Sequence, residues 1–271
     1  MTDCIPGEEW RHVHDLDRQA LRNLRPDGEV LAQAREGIAR HRQATVRLRL
    51  IDAAGRPHRG LAVQWRQERH HFVFGCAFAN TAADDADPAR RERGRLFCEL
   101  FNGTHAKCYW DEKWHQPIET RQGIRVVDRF LAELDWAAAR GLTVRGHPLV
   151  WTVPKAIPQW VRRYPYEQQL RFLEHNVRSL IQAAAGRIKL WDLVNEMLWE
   201  PSLRNLSSRD WPHIETVEEM LTYIEPATRW AREEDPDARY VLNDYGLERT
   251  YTPLKGVHAP QQRQRFVELV E

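Results

Sequence analysis

An α/β fold on a parallel sheet is predicted for this chain, and three features carry the prediction. From residue 71 onward, five short apolar or β-branched runs alternate with longer amphipathic stretches, the pattern of βα units. Polar residues collect at the ends of those runs, where the loops of a parallel βα architecture converge on one face. The length, 271 residues of which 42% are hydrophobic, suits one or two globular domains with a sizeable core.

The elements follow in order. Residues 1–44 form a helical lead-in: an Asp/Gly start opens a stripe of Val30, Leu31, Ala34, Ile38 and Ala39 over Asp27 to His41. Residues 45–70 form a small antiparallel β segment. There the alternating stretches TVRLRLID (Thr45 to Asp52) and LAVQWRQ (Leu61 to Gln67) are joined through AAGRPHRG, whose Gly and Pro suit a turn. Residues 71–271 carry the five strand runs: His71 to Phe78, Thr104 to Trp110, Thr143 to Trp151, Ile188 to Glu196 and Ala238 to Asp244. Helices fall between them, clearest over Arg125 to Arg140 and Tyr166 to Ala185, with a last one from near Gln261.

Composition removes several function classes. With 40 Lys and Arg against 39 Asp and Glu, the net charge of +1 supplies no basic field, so neither nucleic acid nor a membrane surface is expected as a partner. No run reaches the roughly 18 apolar residues of a membrane-spanning helix. The cysteines Cys4, Cys76, Cys98 and Cys108 show no CxxC pattern and read as buried thiols, with no metal site implied. The N-terminal MTDCIPGEEWRHVHDLDRQ lacks the apolar region of a secretory signal. That places the chain in the cytoplasm on the sequence as given, or outside the cell if the true start lies upstream.

The strand ends hold the chemistry. His147 and Trp151 close the third run, Asn195 and Glu196 the fourth, and Asn243, Asp244 and Tyr245 the fifth. Each piece has a structural alternative. Glu196 could cap the following turn, His147 could be a satisfied core histidine, Trp151, Trp191 and Trp199 could be core, and Asn243-Asp244 could be a turn. Yet Trp also supplies flat stacking surfaces for ligands, and the chain has 11 of them.

Taken together and in this order, FNGTHAKCYW (Phe101 to Trp110), VRGHPLVW (Val144 to Trp151), WDLVNEML (Trp191 to Leu198) and VLNDYG (Val241 to Gly246) resemble glycoside hydrolase family 10, the endo-β-1,4-xylanases. The resemblance spans about Ile38 to Glu271. It implies a (β/α)8 TIM barrel that cleaves β-1,4-xylan or xylo-oligosaccharides with retention, without a cofactor. Carried over residue by residue, Glu196 is the general acid/base and Asn195 binds the 2-hydroxyl of the sugar beside the scissile bond. His147 binds the same sugar, Trp151 shapes that subsite, and Asn243 and Tyr245 line the substrate face.

The chain departs from the family pattern both in single segments and in extent. Ala106, Lys107, Cys108 and Tyr109 stand where the family has Asn and Lys before its Trp, TVPKAIPQW is longer than the family's spacing, and Gly246 replaces a usual Asn. Retention also needs a second carboxyl group, a Glu ending the seventh barrel strand in this family. At roughly 31 residues per βα unit, the segment from His71 holds about six units, and only five strands can be placed. The expectation is an incomplete barrel, a fragment without its nucleophile, whose hydrolysis of xylan is negligible. Two alternatives stay open: a noncatalytic carbohydrate-binding remnant, or a barrel glycosidase of other β-glycan specificity.

Overall fold

The structure is a computed structural model. It describes residues 28–58, 60–66, 68, 71–111, 117–199, 203–205, 215–247 and 259–271. Residues 1–27 of the lead-in, with Cys4, and Glu200 and Glu248 lie outside the described residues. The chain divides into two units, 1–66 and 67–271.

In the first unit, helix α1 (Gly28–His41) occupies the predicted lead-in, with Glu29 in its first turn and Arg40 and His41 in its last, matching the helix dipole. The small β-structure that follows is reduced to one antiparallel bridge, between Ile51 and Pro57, among the described residues. The Asp52 carboxylate accepts from the Ala54 and Arg56 amides, both at 2.9 Å, and Gly55 turns at φ +77°. This tight turn closes the hairpin inside residues 50–58. Pro57 has no N–H to extend the ladder. Among the described residues Leu61 to Arg66 form no strand, and Val46, Leu48 and Trp65 stay exposed.

The second unit is a parallel arc with helices on its outer face. Its elements in order are α2 (Pro88–Leu100), β1 (Gly103–Lys107), α3 (Asp128–Ala138), β2 (Thr143–His147), β3 (Val150–Trp151), α4 (Tyr166–Ala184), β4 (Leu190–Asn195), α5 (Val217–Glu234), β5 (Arg239–Asn243) and α6 (Ala259–Val270). Strand β1 pairs with β2, both β2 and β3 pair with β4, and β5 pairs with β4; each of these pairings is parallel. With β3 continuing the line of β2, neighbours in the sheet follow the order of the sequence, as in a (β/α)8 barrel.

Two of the predicted strand runs differ. His71 to Phe78 makes a single parallel bridge, Gly75 to Gly103, and forms no strand. A few backbone bonds, such as the Asn102 amide to the Phe74 carbonyl at 3.0 Å, hold it beside β1, and the Asn102 side chain adds to them, accepting from the Phe74 amide at 2.7 Å and donating to the Phe72 carbonyl at 2.9 Å. The run Thr143 to Trp151 splits into β2 and β3, because Pro148 cannot donate and Leu149 bonds instead to the Asp192 carbonyl at 2.9 Å.

The core lies between the sheet and its helices. Helix α4 buries Leu173, Val177, Leu180, Ile181 and Ala184, one stripe at helical spacing, and ends where Ala185 and Gly186 take positive φ. Trp191 on β4 is fully buried and lies so close over Gly146 that a Cβ there would sit 2.1 Å from the ring. The one glycine of the VRGH run is thus required by the tryptophan of the next strand. Helix α5 starts at a capping box: the Thr216 hydroxyl accepts from the Glu219 amide, and the Glu219 carboxylate accepts from the Thr216 amide.

Candidate active site

Strand register brings the polar residues to one edge of the sheet. Lys107 lies opposite His147 across β1 and β2, Trp151 opposite Asn195 across β3 and β4, and Asn195 opposite Asn243 across β4 and β5. These are the C-terminal residues of their strands, so five elements deliver side chains to the same rim.

Glu196 stands one residue beyond β4. Its amide donates to the Asn243 carbonyl at 2.7 Å, and then the backbone turns at φ +60°. A left-handed conformation is costly for a residue with a Cβ. It turns the chain sharply off the strand and sets the carboxylate against Trp151, whose indole N–H donates to Oε2 at 2.9 Å. The following turn is braced from β5: the Asp244 carboxylate accepts from the Leu198 amide at 2.9 Å and the Tyr245 amide at 2.8 Å. Asn243 donates to the Asn195 side-chain oxygen at 2.6 Å, orienting an amide that is itself buried.

The other side of the rim is aromatic. The Tyr109 ring lies edge-on to His147 at 5.8 Å between centroids and tilted against Trp151 at 5.5 Å. The Lys155 ammonium sits 5.0 Å from the Trp151 ring centre. His147 Nδ1 is 2.6 Å from Asp192 Oδ2. Below the rim lies a cavity of about 500 Å³, lined by His105, Arg145, Asp192 and Asn243 among others. Burial pushes the His105 imidazole down to about 4, and neighbouring His147 and Lys107 push the same way. Cys108, just beyond the end of the same strand, is fully buried, and burial raises its thiol. Cys98 is half-buried and Cys76 exposed, so among the described residues the expectation of buried thiols holds for Cys108 alone.

The sequence-predicted residues separate into two groups. His147, Trp151, Asn195, Glu196 and Asn243 meet at the rim. Tyr245 packs its ring on fully buried Trp199, 5.6 Å between centroids, while its carbonyl accepts from the Trp199 indole at 2.9 Å. These contacts join the end of β5 to the turn after Glu196. Sequence reasoning passed over Asp192, Arg145 and His105, and singled out Tyr109 only as a departure from the family pattern. For the first two a signal exists: a charge inside an otherwise apolar strand must find a partner.

The chain is also similar to known proteins. The sequence profile of glycosyl hydrolase family 10 matches residues 69–259. Endo-1,4-beta-xylanase B of Thermotoga neapolitana is 34% identical over 185 residues, 67% of this chain and 49% of that protein. Endo-1,4-beta-xylanase C of Paenibacillus barcinonensis is 31% identical over 191 residues, 65% of this chain and 17% of that protein. Among solved structures, a family 10 protein from Paenibacillus barcinonensis superposes with a TM-score of 0.55 at 27% identity, over 73% of this chain and 55% of the other. The chain thus spans about half the length, or less, of the relatives it matches. With a matching profile over more than half its residues, and with the parallel arc and strand-end carboxylate described above, this chain belongs to glycosyl hydrolase family 10.

Proposed function

We propose that this chain carries the acid/base half of a retaining glycosidase acting on β-1,4-xylan or xylo-oligosaccharides. The observation that carries the reading is Glu196: a carboxylate presented at the end of β4, held by the Trp151 indole at 2.9 Å and flanked by Asn195. In this reading Glu196 protonates the glycosidic oxygen as the bond breaks, then takes the proton of the water that releases the sugar. Trp151 aims the carboxylate and walls the subsite. Asn195, set by Asn243, bonds the 2-hydroxyl, and His147 bonds the same sugar. Tyr245 acts through Trp199. Family membership and the xylanase names of the relatives support xylan as the substrate class.

Among the described residues none is given the part of the nucleophile. Among the described residues no helix is long and apolar enough to cross a membrane, and the reading needs neither a membrane nor nucleic acid. The test uses the 271-residue chain. Titration with xylotriose is expected to show binding, weakened by Trp151→Ala, and aryl xylobioside is expected to survive incubation intact. Turnover of aryl xylobioside that Glu196→Gln abolishes would show that a nucleophile is present after all. Preference for cellotriose over xylotriose would replace xylan with another β-glycan, and binding of neither would sink the glycan reading.

A further inference from the structure

Asp192 sits in the middle of β4 with 2% of its surface exposed, a costly place for a carboxylate. Its two oxygens are divided between two partners on β2. Oδ1 accepts from the Arg145 guanidinium, from Nε at 2.8 Å and from Nη2 as well. Oδ2 lies 2.6 Å from His147 Nδ1. Arg145 and His147 are two residues apart on one strand, so both point to the same face and reach the same carboxylate.

This arrangement fixes where one ring proton sits. Burial alone would raise the Asp192 carboxyl, but the bonds from His147 and Arg145 outweigh it and hold it below its ordinary value. An ionised carboxylate can only accept. At a 2.6 Å contact the imidazole nitrogen must therefore donate, so Nδ1 carries the proton. In the uncharged form of the ring, a proton on Nδ1 leaves a bare lone pair on Nε2. Nδ1 is turned to a buried oxygen while the His147 side chain keeps 19% of its surface, so the edge a ligand can meet is the Nε2 edge.

We propose that Asp192 and Arg145 are a positioning pair that fixes His147 as its Nδ1-protonated tautomer, making Nε2 a hydrogen-bond acceptor for a sugar hydroxyl. The sugar in that statement rests on the glycosidase reading above; the tautomer does not. Arg145 contributes by keeping Asp192 an anion, and Asp192 by leaving the imidazole no choice of donor. A ligand whose hydroxyl is replaced by a group unable to donate should lose this contact.

The experiment labels the histidines of the full chain with 15N and records long-range 1H–15N imidazole correlations at about pH 7.5, above the ordinary histidine value, with His147→Gln identifying the His147 signals. The expected pattern is a protonated Nδ1 and an unprotonated Nε2. A proton on Nε2, alone or together with Nδ1, overturns the proposal on the wild-type chain, whatever the variants do. In Asp192→Asn the amide can offer an N–H, so the tautomers should mix. Xylotriose should then bind about tenfold more weakly, as expected for the loss of one charge-assisted hydrogen bond. An Asp192→Asn chain with unchanged tautomer and unchanged affinity would reduce Asp192 to an anchor for Arg145 and overturn the pair. A wild-type chain with the expected tautomer but no xylotriose binding supports the pair and refutes the glycan reading instead.

Discussion

At the scale of single residues, the rim was legible where local pattern and chemistry coincide and hidden where pairing is long-range. Glu196, Asn195, His147 and Trp151 announce themselves as polar or indole groups ending apolar runs. Asp192 and Arg145 do not, because their meaning lies in a contact 47 positions apart in sequence. Beyond Asn243 the contacts are also long-range: the Tyr245 ring leans on Trp199, and Asp244 ties down the turn after Glu196. The pH dependence of stability also belongs here. His105, with its folded value depressed to about 4, stays neutral in the fold while an unfolded histidine, with a value near ~6.5, takes up a proton. The unfolded state then binds more protons between those values, so stability falls as pH drops through that window. Asp192 runs on a lower one: depressed in the fold, its contribution is complete above the ordinary carboxylate value and lost below it. Melting curves from about pH 7 to about pH 3 should show both losses. His105→Gln should flatten the stretch between about pH 6.5 and 4 and leave the acid end in place.

At the scale of elements, long helices were readable and strand limits were not. The stripe over Tyr166 to Ala185 became α4 almost unchanged, since a 3.6-residue period repeated over about five turns is a strong signal. The run Thr104 to Trp110 stops at Lys107, because Cys108 turns inward to the Pro148 carbonyl and Trp110 donates to buried Glu119. Nothing in an apolar run tells a strand residue from a core residue one turn later. Two substitutions test the packing. Gly146→Ala should destabilise the chain by about 3 kcal/mol in denaturant titration, since the fully buried Trp191 ring has nowhere to retreat. Thr216→Ala should cost about 1 kcal/mol by removing one arm of the α5 capping box, and Thr216→Ser should restore most of it. Equal melting temperatures for the wild-type chain and the Thr216→Ala variant would mean that packing of α5, not its cap, sets its start.

At the scale of the whole molecule, βα alternation made the parallel sheet legible, whereas its curvature into an arc came from the family resemblance and not from the residue pattern. Strand β4 pairs with β2, β3 and β5, and Trp191, Asp192, Leu193, Val194 and Asn195 along it are all buried. Its amides should therefore exchange with solvent most slowly, ahead of those of β1 and β5, in a hydrogen-exchange series. Faster exchange in β4 than in β5 would show that the arc opens through its centre. The backbone at Glu196 has a consequence for how such a chain changes over generations. Left-handed geometry suits glycine and penalises every side chain, the functional one included, so Glu196→Gly should melt above Glu196→Ala by the equivalent of about 1 kcal/mol. Random mutation released from selection for chemistry would find that replacement tolerable for the fold. Descendants that keep a glutamate at this position are therefore recording selection for what the carboxylate does, against the preference of the backbone that carries it.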